Sequence, residues 1–296
     1  MRRNLEDKGL DLIIYSSLII LAFLTLYPFW NSLAISFNAG ADTARGGITF
    51  WPREFTFANY EYVFDDERLI NGFMITIIRT VLGTLLSISF TAAFGYAMAK
   101  RGLIGKKYYM IFCVVTMYFH GGLIPTYLLI RELNMMNTIW VMVIPTMINV
   151  WHMIIFRTFF QQLPDGLEES AKIDGCSNAG VFFKIVVPVS GPVIATLSLF
   201  TAVFHWNAWF DAVIYITKED LVPLQTLLTQ IINSVMNDTM DQLSNTEQEM
   251  LDQLNAVTHK SVVMATMMVA TIPIMMVYPF VQKYFVKGVL IGSLKE

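Results

Sequence analysis

Charged side chains are scarce: Asp, Glu, Lys and Arg make up 15% of the 296 residues, while 55% are hydrophobic and the mean hydropathy is +0.54. So little charge cannot clothe a water-soluble body of this size, and the composition points to the bilayer as solvent. A basic excess is missing too. Twenty Lys and Arg stand against 23 Asp and Glu, a net charge of −3, so there is no cationic face to neutralise phosphates and nucleic-acid binding is excluded. Cysteine is limited to Cys113, in an apolar run, and Cys176, in a polar loop, with no CxxC pair; neither a disulfide framework nor a zinc site is supported. The four histidines, His120, His152, His205 and His259, are scattered one to a segment without HExxH or GxSxG, so no catalytic constellation is visible. The GxxxxGK[ST] loop that cradles phosphates is also lacking, because Gly102-Leu103-Ile104-Gly105-Lys106-Lys107 has the wrong glycine spacing and no hydroxyl.

What is present in quantity is unbroken apolar sequence. Six stretches, 12–41, 80–99, 108–130, 133–156, 185–210 and 261–282, contain no Asp, Glu, Lys or Arg. A helix needs about 20 residues to cross a hydrocarbon core of about 30 Å, and all six suffice. Barrel strands are excluded, since they run about 10 residues and alternate apolar with polar. The expected fold is therefore all-α and polytopic, a single transmembrane domain over 1–296 with six transmembrane helices at about 12–37, 70–99, 108–130, 136–157, 188–214 and 261–282. The first apolar run far exceeds a signal-peptide core and reads as a retained helix. With the N-terminus inside, the inner segments collect thirteen basic residues, among them Arg2, Arg3, Lys100, Arg101, Lys106 and Lys107, against six outside, Arg45, Arg53, Arg68, Arg131, Lys218 and Lys260. The positive-inside rule then puts both termini in the cytoplasm. Outer loops are expected at about 38–69 and 216–260, either solvated tethers or docking surfaces.

The inner loop, about 161–188, mixes charge, small residues and helix punctuation. Pro164 and Asp165 suit a helix start, Glu168 and Glu169 complement its dipole, and Gly175 suits its stop. Leu167, Ala171 and Ile173 would supply an apolar side, and a second short helix is expected from Ser177 to Ile185, ending before Pro188. Glu169-Ser170-Ala171, three residues, Gly175, nine residues, then Ile185-Val186-Val187-Pro188 resembles the EAA loop of ABC importer permeases. Ser170 replaces that pattern's first Ala and Val187 its Leu, both mild exchanges. Gly121-Gly122-Leu123-Ile124-Pro125-Thr126-Tyr127, Arg157-Thr158-Phe159-Phe160 and His205-Trp206-Asn207-Ala208-Trp209-Phe210 look like the carbohydrate (oligosaccharide and polysaccharide, maltose-type) branch, and the resemblance covers residues 10–296.

That resemblance implies a type I ABC importer permease fold in a bacterial cytoplasmic (inner) membrane. It implies a loop whose coupling helix, Glu168, Glu169, Ser170, Ala171, Asp174 and Gly175 with Pro188 behind it, sits in a cleft of an ATPase subunit. The implied assembly has a second homologous permease, two ATPase subunits carrying ATP and Mg, an extracytoplasmic solute-binding protein and a carbohydrate cargo, with no cofactor or catalytic residue on this chain. Polar groups inside a span are costly unless they face protein or water, so His205, Trp206, Asn207, Trp209 and Asp211 are the candidate substrate-pathway residues. Helical spacing would set Asn207 with Asp211 and His205 with Trp209. Gly191 and Pro192, directly after the loop, are the candidate hinge. A permease for a non-sugar solute is the alternative. A proton-coupled carrier would need paired ionisable groups, and Arg79 lies near a span interior without an evident acidic mate in the sequence.

Overall fold

The computed structural model describes residues 5–241 and 257–293, and the regular structure among them is helical apart from one isolated bridge between Asn38 and Phe55. Helices are what apolar solvent demands, because every backbone donor and acceptor is satisfied inside the segment. In chain order they are α1 (Leu5–Ser36), α2 (Gly40–Ala44), α3 (Ala58–Asp65), α4 (Glu67–Ala99), α5 (Lys106–Tyr118) and α6 (Leu123–Glu132). Two 3-10 turns, Ile139–Met142 and Ile144–Thr146, then lead into α7 (Val150–Phe160) and α8 (Asp165–Ile173). Next, α9 (Asn178–Val181) continues through a π-helical turn, Phe182–Val186, into α10 (Val187–Val189). The chain continues as α11 (Gly191–Asn207), α12 (Phe210–Tyr215), α13 (Leu224–Asp241) and α14 (His259–Ser293).

Three helical segments, Gly9–Ser36, Glu67–Ala99 and His259–Met276, are long and apolar enough to cross a membrane alone. Three further candidates are broken: α5 and α6 meet at 112°, the 3-10 turns and α7 at 49°, and the α9–α10 run and α11 at 84°. The apolar stretches at 108–130 and 188–214 therefore do not run as straight helices, and α11 ends at Asn207, short of 214. The expected outer loops are not plain tethers either. The first carries α2 and α3, and the second begins with α13; the part of its polar stretch at 242–256 lies outside the described residues.

Two compact units emerge, one from the described parts of Met1–Leu69 and Leu228–Ile272, the other from Ile70–Leu227 and Pro273–Glu296. The first unit turns on Asn38, which is fully buried. Its side-chain amide donates to the Ala39 carbonyl, Asp42 and Thr43, and its oxygen accepts from the backbone N–H of Arg53 (2.8 Å) and Glu54 (3.0 Å). Asn59 donates to the Ser36 and Asn38 carbonyls and accepts from Ser261 at 2.7 Å, which ties the start of α14 to the loop. The Asn38 amide and the Arg53 guanidinium hold the Asp42 carboxyl below the usual carboxylate range, against the opposing effect of burial.

In the second unit α4 is the spine. An apolar cluster of Tyr96, Phe156, Phe160, Ala171, Phe182 and Leu197 packs around one end of it, and a second cluster of Ile75, Ile130, Met142, Ala212, Tyr215 and Val222 around the other. The first cluster joins α4 to the inner loop.

One substitution tests the fold of the first unit. Asn38→Ala strands several buried polar groups at once, so it should destabilise the first unit by roughly 2 to 4 kcal/mol. Trypsin cleavage at Arg45 and Arg53 in proteoliposomes should then be about tenfold faster than in the parent chain. Unchanged cleavage would show that Asn38 is dispensable.

Candidate functional site

α8 and its flanking turns form a largely exposed element of the second unit. Pro164 stands at its N-cap, Asp165 and Glu168 in its first turn and Lys172 in its last, the charge order that a helix dipole favours. It ends in a Schellman turn: Gly175 N–H donates to the Lys172 carbonyl and Cys176 N–H to that of Ala171, with Gly175 at φ +82°. Ser177 then caps α9 by accepting from Gly180 N–H at 3.2 Å. The two helices thus form a knob stopped and restarted within four residues.

Only Ala171 anchors α8 in the apolar core; it is 5% exposed, whereas Ile173 is 86% and Leu167 41% exposed. Of the three residues expected to supply an apolar side, only Ala171 is buried, because a nine-residue helix at a surface buries one stripe and here a single methyl fills it. Glu169, Ser170, Lys172 and Asp174 are exposed as well. Two ion pairs pin the knob to the end of α4. Lys100 pairs with Glu168 while lying 4.0 Å over the Tyr96 ring, and Arg101 approaches Asp165 at 3.2 Å. A cavity of about 1070 Å³ lies between them, floored by Tyr96, Phe160 and Phe182 and rimmed by Lys100, Glu168 and Lys172.

The second knob helix does not end before Pro188. The π turn widens the helix and carries it through Pro188 to Val189, so the chain bends at Ser190 instead. Proline lacks an N–H, and a locally widened hydrogen-bond ladder is one way in which a helix tolerates it. Gly191 and Pro192 open α11 on the far side of that 84° bend.

The candidate pathway residues divide. α11 stops at Asn207, Ala208 is extended and Trp209 precedes α12, so the expected one-turn pairings of Asn207 with Asp211 and His205 with Trp209 do not form on a single helix. His205 is 1% exposed and packs so closely on Gly83 of α4 that a Cβ there would collide with its ring. Trp206 is also buried, edge-on to Phe73, whereas Asn207 and Trp209 are exposed. Asp211 pairs with Arg79, 132 residues earlier in the chain, and Arg79 also donates to the Ala208 carbonyl at 2.9 Å. The sequence reading missed this pair. Arg79 therefore has its acidic mate, and the guanidinium satisfies the carbonyl freed by the break.

A family model described as "Binding-protein-dependent transport system inner membrane component" matches residues 17–291. The chain is 37% identical over 293 residues to the polygalacturonan/rhamnogalacturonan transport system permease protein YtcP of Bacillus subtilis (strain 168), covering 98% of this chain and 100% of that protein. It is 41% identical over 273 residues to Protein LplC of the same organism, covering 92% and 90%. Among solved structures it resembles the crystal structure of a bacterial ABC transporter involved in the import of the acidic polysaccharide alginate, with a TM-score of 0.86 and 28% identity over 96% of this chain and 99% of that one. The expected all-α, polytopic permease fold is borne out.

The Arg79–Asp211 pair generates an asymmetric prediction. Arg79 is 1% exposed and Asp211 27%, so removing the acid strands the more deeply buried charge. Asp211→Leu should cost about 3 to 5 kcal/mol and Arg79→Met about 1 to 3, with the double variant closer to the parent than Asp211→Leu alone. Thermal unfolding in nanodiscs reads the order; the reverse order would remove the pair's role at the break.

Proposed function

The chain belongs to the binding-protein-dependent transport system inner membrane components, and from that premise we propose that it is the permease subunit of an ATP-driven oligosaccharide importer, coupled to its motor through α8. Two of the proteins it resembles are named for polygalacturonan/rhamnogalacturonan and for alginate, which supports a carbohydrate cargo. The transport role needs no bond-breaking chemistry on this chain. ATP and Mg belong to two ATPase subunits, and a second permease and an extracytoplasmic solute-binding protein complete the machine. With both termini in the cytoplasm, the knob faces the ATPases.

The observation that carries the coupling role is a rigid, exposed knob with very little apolar anchoring of its own. Its carboxylates Glu168 and Asp165 already hold Lys100 and Arg101 directly after α4, leaving Glu169 and Asp174 outward to pair with basic groups on an ATPase. Ser170 is exposed and small, so a partner helix can approach closely. Closure of the two ATPases would push on α8, and the ion pairs would pass the displacement to α4. The α9–α10 run behind Pro188 would pass it to α11 across the bend at Gly191 and Pro192. His205, Trp206, Asn207, Trp209 and Asp211 are then read as pathway residues, with Asn207 and Trp209 the two that present exposed polar and aromatic surface for sugar. The Arg79–Asp211 pair supplies the ionisable couple that a proton-coupled carrier requires, but its bond to the Ala208 carbonyl gives it a structural task, and the permease reading stands.

In the assembled importer, Ser170→Cys should crosslink to the ATPase subunit, and Glu169→Lys should lower substrate-stimulated ATP hydrolysis and uptake at least about tenfold while the chain still inserts. Oligosaccharides from polygalacturonan and alginate should lead the substrate panel. Crosslinks to lipid and neighbouring spans alone would overturn the docking role. Gly191→Leu should leave ATP hydrolysis running while uptake fails; normal uptake would count against the hinge.

A further inference from the structure

α4 and α11 carry buried polar atoms that no group among the described residues satisfies. Arg79 Nε, Thr80 Oγ1, Thr84 Oγ1 and both ring nitrogens of His205 are buried and have no hydrogen-bond partner. Arg79 and His205 are each 1% exposed, and His205 rests on Gly83, so the five atoms occupy little more than one turn of α4 and the part of α11 that faces it. Threonines in apolar helices commonly donate to a carbonyl one turn back, as Thr76 does to Gly72 at 2.8 Å, yet Thr80 and Thr84 do not. A neutral imidazole offers one donor and one acceptor, each hydroxyl offers both, and Arg79 Nε one donor. Taken together, the five atoms call for a small neutral partner able both to donate and to accept.

We propose that this α4–α11 layer is a hydroxyl-binding site, holding ordered water or the hydroxyls of a passing sugar. Both sources share one chemistry, an O–H that donates to His205 or a threonine and accepts from Arg79 or a threonine. An anion is disfavoured because Asp211 already neutralises Arg79. The layer also continues inward: Thr201, one turn before His205, donates to the Leu197 carbonyl at 2.8 Å and lies 3.5 Å from His152 Nδ1 on α7. Polar groups of α4, α7 and α11 thus stand within otherwise apolar packing, the setting in which bilayer proteins hold internal water. The water arm is independent of the importer reading; the sugar arm rests on it.

Hydroxyl-radical footprinting of the full importer in nanodiscs tests the site, with mass spectrometry of His205 set against Met153 and Phe156, both 0% exposed and in dry packing. After correction for intrinsic reactivity, His205 should be labelled at least about fivefold more than those two. Thr80→Val with Thr84→Val, which keeps branching and volume, should cut His205 labelling about threefold. Addition of oligogalacturonate with its binding protein and a non-hydrolysable ATP analogue separates the sources: protection of His205 assigns the site to sugar hydroxyls, and unchanged labelling assigns it to resident water. Labelling of His205 no higher than that of Met153 and Phe156 overturns the proposal, whether or not the valine variant folds, and leaves the importer reading untouched.

Discussion

Where a helix breaks inside apolar surroundings, its freed backbone groups must be met by side chains from a neighbour, and this constraint organises the second unit. α4 answers most of the breaks. Asn71 donates to the Asp220 carbonyl at 2.7 Å, Thr76 accepts from the first N–H of α13 at 2.9 Å, and Arg79 caps Ala208. Thr91 accepts from Asn149 N–H where the 3-10 turns give way to α7. Off the spine, Asn137 does the same for the segment after α12, its oxygen accepting from the backbone of Thr217 and Lys218. Asn71, Thr76, Arg79 and Thr91 of this long helix are therefore not defects in a span. They are the means by which its neighbours are allowed to bend.

This explains what the sequence disclosed and what it withheld. Apolar length and the absence of charge were enough for an all-α membrane fold, because each depends on one segment at a time. The knob was legible for the same reason: its caps, Pro164 at one end and Gly175 at the other, are local chemistry. Straightness was only partly legible: Gly121, Gly122 and Pro125 stand at the turn between α5 and α6, but nothing local sets its angle of 112°. Partnership was not legible. Arg79 and Asp211 are brought together by folding alone, and only the recurrence of Thr76, Arg79, Thr80, Gly83, Thr84, Ser87 and Thr91 at helical spacing hinted that one side of α4 faces protein.

Within the knob, rigidity comes from short-range devices and attachment from long-range ones. The Schellman turn and the Ser177 cap fix the angle between α8 and α9 with backbone bonds, which do not depend on what surrounds them. The Lys100–Glu168 pair and the Ala171 methyl then fasten the fixed shape to α4 and its core. An element built this way keeps its shape, and little of its surface is committed to packing against the rest of the unit.

The separation of Arg79 from Asp211 also has a consequence for biosynthesis. At about 5 to 20 residues per second, a ribosome needs roughly 7 to 26 s to travel the 132 residues between them. During that interval α4 enters the bilayer with a guanidinium whose counter-charge has not been translated, at a cost of about 2.5 to 3.5 kcal/mol at mid-membrane. The apolar residues that flank Arg79 would offset that cost, and the arginine stem is long enough to reach toward the headgroups until the later segment arrives.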